Sequence, residues 1–447
     1  MLDASQQRAL DNISQLNNNI YILTGGPGRG KTFSVIQIYK MLSKKYKEFD
    51  IYFCTPTGKS AQVLSDVLSD LNVPHTPQTI HRMLGCQGKK WIYNRDNPLS
   101  AKFVIVDESS MIDSELMARL FMSVTPDCKF LLVGDADQLF PVGAGCPFLD
   151  IIKINHNDCV NTLAVNHRAA EGGMIAYATD LIRNGKMPVW GKKGKHTLKG
   201  TREDDLFFHN IEDKELIPDK VKEIVKPWFE NKEDFIVLSP QHSGVCGITN
   251  INTELQAYLN PVMPGKAFYK VSSWLTINTG DRVINLKNNY KLGVFNGFIG
   301  TVLKIEYIGK TLKGILIDFN GEKVFIEKPA DIKNLNLAYC ISIHKSQGSQ
   351  YEKGVIILHS SHSFMLNRSL MYVAISRFKE KLHVIGDDKG LRRALKNNTK
   401  DRRNTYLGEL KPFESVQKCL FHDKLLFRSS YGTGKNPLQP SLFVYLI

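Results

Sequence analysis

The chain is short of several things, and each shortage removes a class of protein. It has no Cys-x-x-Cys pair: its eight cysteines, Cys54, Cys86, Cys128, Cys146, Cys159, Cys246, Cys340 and Cys419, are scattered, most of them inside apolar runs. That spacing reads as reduced core thiols rather than a disulfide framework or a zinc site. No apolar run approaches the roughly 18 residues that a membrane-crossing helix needs. The opening MLDASQQRAL is polar where a secretory signal would be apolar. The expectation is a cytoplasmic protein with no membrane partner. There is no long internal repeat and no low-complexity tract. Acidic residues are in deficit, 44 against 58 Lys and Arg, for a net charge of +14. Such an excess suits a polyanion partner, because each phosphate neutralised releases condensed counterions; a merely basic surface has the same sum.

What is present is ordinary for a globular protein: 447 residues, 43% hydrophobic and 23% charged. Residues 1 to about 190 alternate short apolar runs with helical patterns. IYILTGG (20–26), IYFCTP (51–56), FVIVDE (103–108) and FLLVGD (130–135) each end in small or acidic residues, and KTFSVIQIYKMLSKKY (31–46) is a helix between two of them. Continuous apolar strands separated by helices predict an α/β fold with a parallel sheet covered on both faces, and function at the carboxyl ends of its strands. A second α/β region starts at FIVLSP (235–240), resumes at LAYCISIHKSQG (337–348), and continues in GVIILH (354–359) and LHVIGD (382–387). Two segments break the pattern. Residues 85–100, GCQGKKWIYNRDNPLS, read as a small β-hairpin. Residues 262–335 read as an inserted β-barrel whose meander turns tightly at Gly309 and at Asn320-Gly321. Residues 186–201 form a basic linker.

GGPGRGKT (25–32) fits GxxxxGK[ST], follows an apolar strand and opens a helix, which is the context that the phosphate-binding loop requires. Its glycines let backbone N–H groups wrap phosphates, with the field of a helix N-terminus behind them. Lys31 is expected to reach the β- and γ-phosphates, and Thr32 to ligate Mg2+. A look-alike at 429–436, SSYGTGKN, has Ser for the first Gly and no leading strand, and reads as a loop. Asp107 and Glu108 end an apolar strand: Asp107 suits the metal, Glu108 the attacking water. Gln138, in GDADQLFPVG, is either a γ-phosphate sensor or an ordinary turn glutamine.

The ordered set GGPGRGKT, TPTGKSA, TIHRML, VDESSM, GDADQLFPVG, LAYCISIHKSQGSQY and LMYVAISRFKEKL resembles the superfamily 1 helicases of the RecD-like and Dda-like type, bacterial or phage, over residues 1–408. VLSPQHSGVCGITNINTELQAYLNP (237–261) and GDRVINLKNNYKLGVFNGFIGTV (280–302) are similar to the RecD-like members in particular. The resemblance implies two RecA-like P-loop domains, one at 1–190 and one at 191–261 with 336–408, a β-hairpin pin at 85–100 and an SH3-like barrel at 262–335. Residues 409–447 lie beyond it and carry no assigned function. It implies an ATP-dependent DNA helicase that translocates 5′ to 3′ on single-stranded DNA, in DNA replication, repair or recombination. ATP and Mg2+ would be held between the domains.

The resemblance also assigns roles. Gln6 matches the adenine-bonding glutamine, and Gly25, Gly26, Pro27, Gly28, Arg29, Gly30, Lys31, Thr32, Phe33, Gln347 and Gly348 the remaining nucleotide contacts. Arg168 and Arg377 match arginines on the γ-phosphate, a placement worth about 10³–10⁵ in rate in other phosphoryl-transfer systems. Thr55, Pro56, Thr57, Lys59, Thr79 and His81 match strand contacts in the first domain, and His344, Lys345 and Ser346 those in the second. Contacts of this kind hold phosphates without reading sequence, which suits a motor. Phe295 and Asn296 lie where the barrel would grip the strand. Trp91 and Tyr93 either stack on the first unpaired base or hold their hairpin together. Three residues depart from the family pattern: Arg29, which faces either phosphate or solvent, Phe140, and Gln350, where a ribose contact is weakened. The expected partners are single-stranded DNA and single-strand/duplex junctions, with single-strand-binding or replication proteins besides, and a monomeric motor is expected. An RNA helicase, or a translocase that strips proteins without unwinding, shares these contacts and stays open at this stage.

Overall fold

The computed structural model describes residues 2–154, 159–167, 173–188, 190 and 205–398. They fall into two units, residues up to 170 and residues 171–398. Helix Met174–Arg183 therefore belongs to the second unit rather than to a first domain ending at 190. It packs on helix Arg368–Ser376, and Asp205 accepts hydrogen bonds from the backbone of Met174 and Ile175 at its start.

In the first unit the strands are β1 (Ile20–Thr24), β2 (Ile51–Thr55), β3 (Gln78–Thr79), β4 (Cys86–Gln87), β5 (Lys90–Trp91), β6 (Phe103–Val106), β7 (Lys129–Gly134) and β8 (Val160–Thr162). All but β4 and β5 form one parallel sheet in the order β3-β2-β6-β7-β1-β8. Alternation explains why the apolar runs are continuous. Ile20, Ile22, Val104 and Val106 enter a core on one face, while Tyr21, Leu23, Phe103 and Ile105 enter another on the opposite face. A strand buried on both sides leaves no position for a polar residue.

The second unit holds β9 (Leu206–Asn210), β10 (Phe235–Ser239), β11 (Phe268–Lys270), β12 (Thr276–Asn278), β13 (Arg282–Asn285), β14 (Ile299–Ile308), β15 (Thr311–Phe319), β16 (Glu322–Ile326), β17 (Leu335–Leu337), β18 (Cys340–Ser342), β19 (Tyr351–Leu358) and β20 (Phe378–Gly386). A parallel sheet, β18-β10-β19-β20-β9, carries an antiparallel insert, β16-β15-β14-β13-β17, with β11 and β12 paired beside it. Both tight turns fall where expected. Gly309 closes β14–β15, and Asn320 and Gly321, both at positive φ, close β15–β16. The insert shares its core with the parallel sheet: Val283, Ile315 and Ile317 cluster with Val237, Cys340 and Val355. Asp281 sits in that seam, fully buried, and accepts from Gln256, Asn260, the Asn278 backbone and the Tyr339 hydroxyl.

The seven described cysteines are free, and all but the half-buried Cys86 are buried. No helix among the described residues is long and apolar enough to cross a membrane.

Candidate nucleotide and strand sites

Strand β1 delivers Gly25–Gly30 to the start of helix Lys31–Leu42. Gly28 and Gly30 both take left-handed φ values, 74° and 73°. The positive φ favours glycine at residue 30, where a side-chain carbon would also displace the Gln6 amide. Gln6 is buried, 3% exposed, and closes a capping box with Asp3 at the start of helix Ala4–Ser14. The capping box fixes the Gln6 amide beside the loop where the resemblance places adenine. Thr32 occupies the first turn of the loop's helix, and Phe33 is 42% exposed.

Lys31 Nζ donates to the carbonyls of Gly25 at 2.7 Å and Gly26 at 3.2 Å. These are weak neutral acceptors that phosphate oxygens would outbid. Beyond β6, Asp107 accepts from the Glu108 N–H at 2.8 Å. Burial first, then the charge of Glu108, push the Asp107 carboxyl well above the ordinary carboxylate range; the Glu108 N–H and Lys31 pull it back only in part. Glu108 itself has φ 53°, a left-handed backbone that costs a non-glycine residue about 1–2 kcal/mol. One Glu108 carboxylate oxygen and the Gln138 amide oxygen are buried without a partner. A packed acidic pair with insufficient positive charge, beside unpartnered acceptors, fits a divalent cation and a water.

Arg29 is half-buried and engaged by backbone. Its guanidinium donates to the carbonyls of Leu163 and Ala164. The same segment is stitched to the loop by the His167 N–H donating to the Gly28 carbonyl, and to the N-terminal helix by the Ala164 N–H donating to the Ser5 hydroxyl and by a 2.9 Å contact between the His167 ring and Asp3. Arg168 follows directly but lies outside the described residues.

The strand-contact positions divide. Thr55 and Thr79 are register partners at the carboxyl ends of β2 and β3, on the same sheet edge as Asp107. Thr57 caps helix Gly58–Asp70, and Thr79 caps Ile80–Met83. Pro56, Thr57 and Lys59 are half-buried, and His81 is exposed. Thr55, however, is fully buried and donates to the Thr57 carbonyl, and Ser346 is fully buried and donates to the Ile343 carbonyl. Both shape the backbone, so the expectation that their side chains touch the strand is corrected.

In the second unit His344 and Lys345 sit half-buried in a single turn after β18, with burial lowering both pKa values. Gln347 is 8% exposed, with its amide nitrogen unpartnered, beside Gly348 at φ 73°. Arg377 is 5% exposed and donates to the carbonyls of Val373 and Ser349, which ties it to that Gln347–Gly348 turn.

The hairpin exists as β4–β5, but its aromatics face inward. Trp91 and Tyr93 pack on the first unit's core, the Arg119 guanidinium lies 5.1 Å over the Trp91 ring, and His81 lies 5.3 Å from it. This favours rings that hold the hairpin, and it leaves Ile92, 49% exposed, on the outer face. Phe295 likewise stacks edge-on with Tyr290 and Phe298 inside the insert, while Asn296 is exposed. Trp274, which the sequence reading passed over, is 69% exposed.

A phosphate loop, a buried acidic pair and strand-end threonines on one parallel sheet, with a second parallel sheet carrying an SH3-like insert, are the parts of a P-loop protein of the superfamily 1 helicase fold. Three family models match in order: an AAA domain over residues 6–144, the SH3 domain of ATP-dependent RecD-like DNA helicases over 251–319, and the UvrD-like helicase C-terminal domain over 337–385. The chain is 31% identical over 413 residues to the ATP-dependent RecD2 DNA helicase of Deinococcus radiodurans, covering 91% of this chain and 52% of that protein. It is 27% identical over 422 residues to the RecBCD enzyme subunit RecD of Mycobacterium tuberculosis, covering 85% and 69%. The fold is similar to that of Pif1 helicase from Bacteroides in complex with ADP-AlF3 and ssDNA (TM-score 0.53, 18% identity, 89% of this chain and 95% of that one) and of Pif1 from Candida albicans (TM-score 0.52, 18% identity, 86% and 94%). The chain is thus similar over 91% of its length to a RecD-like DNA helicase, and its insert matches the SH3 domain of that family. It spans about half the length of the Deinococcus relative.

Proposed function

We propose that the chain is an ATP-dependent DNA helicase that translocates 5′ to 3′ on single-stranded DNA and unwinds the duplex ahead of it. The observation that carries this reading is the shared sheet edge. The Asp107 N–H bonds the Cys54 carbonyl, so the acidic pair and the strand-contact loop that begins at Thr55 are mechanically one piece. A change at the phosphate site reaches the strand site through one peptide.

In this reading Lys31 exchanges its loop carbonyls for β- and γ-phosphate oxygens. Thr32 and Asp107 would hold Mg2+, which would supply neutralisation of phosphate charge. Glu108 orients the attacking water and takes its proton, and the unpartnered Gln138 oxygen fixes that water or reads the γ-phosphate. Arg168 and Arg377 supply positive charge to the transferring phosphoryl group. Arg377 would first have to leave two neutral carbonyls, an exchange that a phosphate makes favourable. Pro56, Thr57, Lys59, Thr79 and His81 in the first unit, and His344 and Lys345 in the second, hold the strand. The hairpin meets the junction with Lys89, Lys90 and Ile92, braced from behind by Trp91 and Tyr93. The proposed functional domains are the first unit, ending near residue 170 instead of 190, the second unit, and the insert at 262–335 within it, with a monomer as the proposed motor unit.

The test is strand separation with ATP on duplexes tailed at the 5′ or the 3′ end. Unwinding of the 5′-tailed duplex alone supports the reading. Unwinding only of the 3′-tailed one, or only with RNA strands, refutes it.

A further inference from the structure

Between the insert and the parallel sheet of the second unit lies an open cleft. Its floor is helix Ile248–Leu259, and Asn252 locks this helix to β18 by a two-way amide pairing: its Nδ2 donates to the Cys340 carbonyl at 2.8 Å, and its Oδ1 accepts from the Cys340 N–H at 2.9 Å. One side of the cleft carries Ser342 and Lys345, and the floor carries Thr249 and Thr253. Trp274 lines the same cleft.

The placement of Trp274 is built. The turn from β11 to β12 is closed by the backbone N–H groups of Val271 and Ser272, both donating to the Leu275 carbonyl. Leu275 is 4% exposed and anchored in the core, so its neighbour is turned outward, 69% exposed. The Trp274 ring stacks on no other aromatic ring among the described residues. A large flat apolar face is thus exposed to water in a cleft that an ammonium and three hydroxyl-bearing residues also line. That combination of a π face for a base with cation and hydroxyl donors for a phosphate is the chemistry of a sequence-tolerant single-strand site.

We propose that Trp274 is a stacking platform for a nucleobase of single-stranded DNA, seated in this cleft while Lys345 holds an adjacent phosphate. The proposal rests on the helicase reading above and adds to it a base contact in the insert. Because every base has a π face, such a contact grips any sequence and releases it without hydrogen-bond readout. It also gives the insert a reason to be fused to the second sheet through a common core. The platform and the phosphate-holding turn then belong to one unit and advance together.

The experiment measures equilibrium binding of fluorescent oligothymidylate by the wild-type chain, Trp274→Ala and Trp274→Phe, each also on a strand of the same length made of abasic sites. Far-ultraviolet circular dichroism and thermal melting accompany each variant, and the exposed ring should leave both unchanged. Trp274→Ala is expected to weaken binding of the base-bearing strand by about five- to a hundred-fold, the range of base–aromatic stacking. Trp274→Phe should recover most of that, and neither should alter binding of the abasic strand. Equal losses on the two strands, or no loss on either, overturn the platform. Strand-stimulated hydrolysis by the wild-type chain separates the two levels. If DNA stimulates hydrolysis while Trp274→Ala binds like wild type, the platform alone falls. If DNA neither binds nor stimulates, the helicase reading falls with it.

Discussion

Replacing Asp281 by Ala should loosen the insert from the second sheet, and the hydrogen-bond geometry sets how much. Four donors converge on the carboxylate: Gln256 Nε2 at 2.5 Å, Asn260 Nδ2 at 2.6 Å, the Asn278 N–H at 2.7 Å and the Tyr339 hydroxyl at 2.9 Å. Two of them have a second acceptor, since Gln256 also reaches the Thr276 carbonyl and Asn260 the Thr279 carbonyl. The other two, the Asn278 N–H and the buried Tyr339 hydroxyl, lose their acceptor. A buried donor left unsatisfied costs about 1–3 kcal/mol, so the substitution should remove about 2–6 kcal/mol from the second unit. Urea unfolding followed by tryptophan fluorescence measures it, because Trp228 and Trp274 both lie in that unit. The Asp281→Asn variant should not rescue, because its amide turns an N–H2 group toward donors. The carboxylate also carries a pH signature. Burial holds its folded pKa above the ordinary value despite the four donors. The folded chain therefore binds more protons than the unfolded one in a window that opens near pH 4 and extends upward. The Asp281 contribution to stability falls as pH rises through that window, and Asp281→Ala should lack this slope. An Asp281→Ala chain that unfolds at the wild-type urea concentration would refute the seam as a structural joint.

Lys31→Ala should keep strand binding and lose hydrolysis; strand-stimulated ATPase at the wild-type rate in that variant sinks the phosphate site. Glu108→Gln should lower kcat by about 10²–10⁴-fold, the usual contribution of general base catalysis, with little change in KM for ATP. A variant that loses in KM alone would move the base elsewhere. Deleting Lys89–Pro98 should abolish unwinding while strand-stimulated hydrolysis persists, and undiminished unwinding would remove the pin. His209 and His383 share a 2.9 Å contact between ring nitrogens, and burial lowers both pKa values, that of His383 to about 3. The unfolded chain thus binds more protons below about pH 6.5, where free histidine titrates, so stability should fall as the solution is acidified from there toward pH 3. His383→Phe should flatten that acid limb, and an unchanged limb would place the cause in other groups.

How much of this was legible in the sequence depends on the range of the interaction concerned. Strands β1, β2, β6 and β7 were readable because a strand buried on both faces is apolar throughout, and the turns at Gly309 and Asn320-Gly321 because positive φ selects those residues locally. Strands β3, β8 and β9 were not anticipated: the first two are two and three residues long, and β9, LFFHN, has only one buried position. The phosphate loop was legible for the same local reason as the turns, since its geometry is made by its own backbone. Side-chain direction was not. Thr55 and Ser346 look like strand contacts in sequence, yet their hydroxyls satisfy carbonyls two or three residues away, and no spacing rule tells an outward hydroxyl from an inward one. The sequence leaves Trp91 open between a wedge and a brace for its hairpin, and the Arg119 guanidinium over its ring favours the brace. Trp274 is the converse: VSSWLTIN carries no motif, and only the burial of Leu275 turns its neighbour outward. In each case the identity of the residue was in the sequence, while its function was set by which partner reached it first across the fold. A chain that works as proposed here has to present its contacts to substrate instead of satisfying them internally. Its working residues should therefore be sought among side chains whose local partners are absent or easily exchanged: Lys31 on two carbonyls, Glu108 and Gln138 with bare oxygens, and Trp274 with no aromatic ring against it among the described residues.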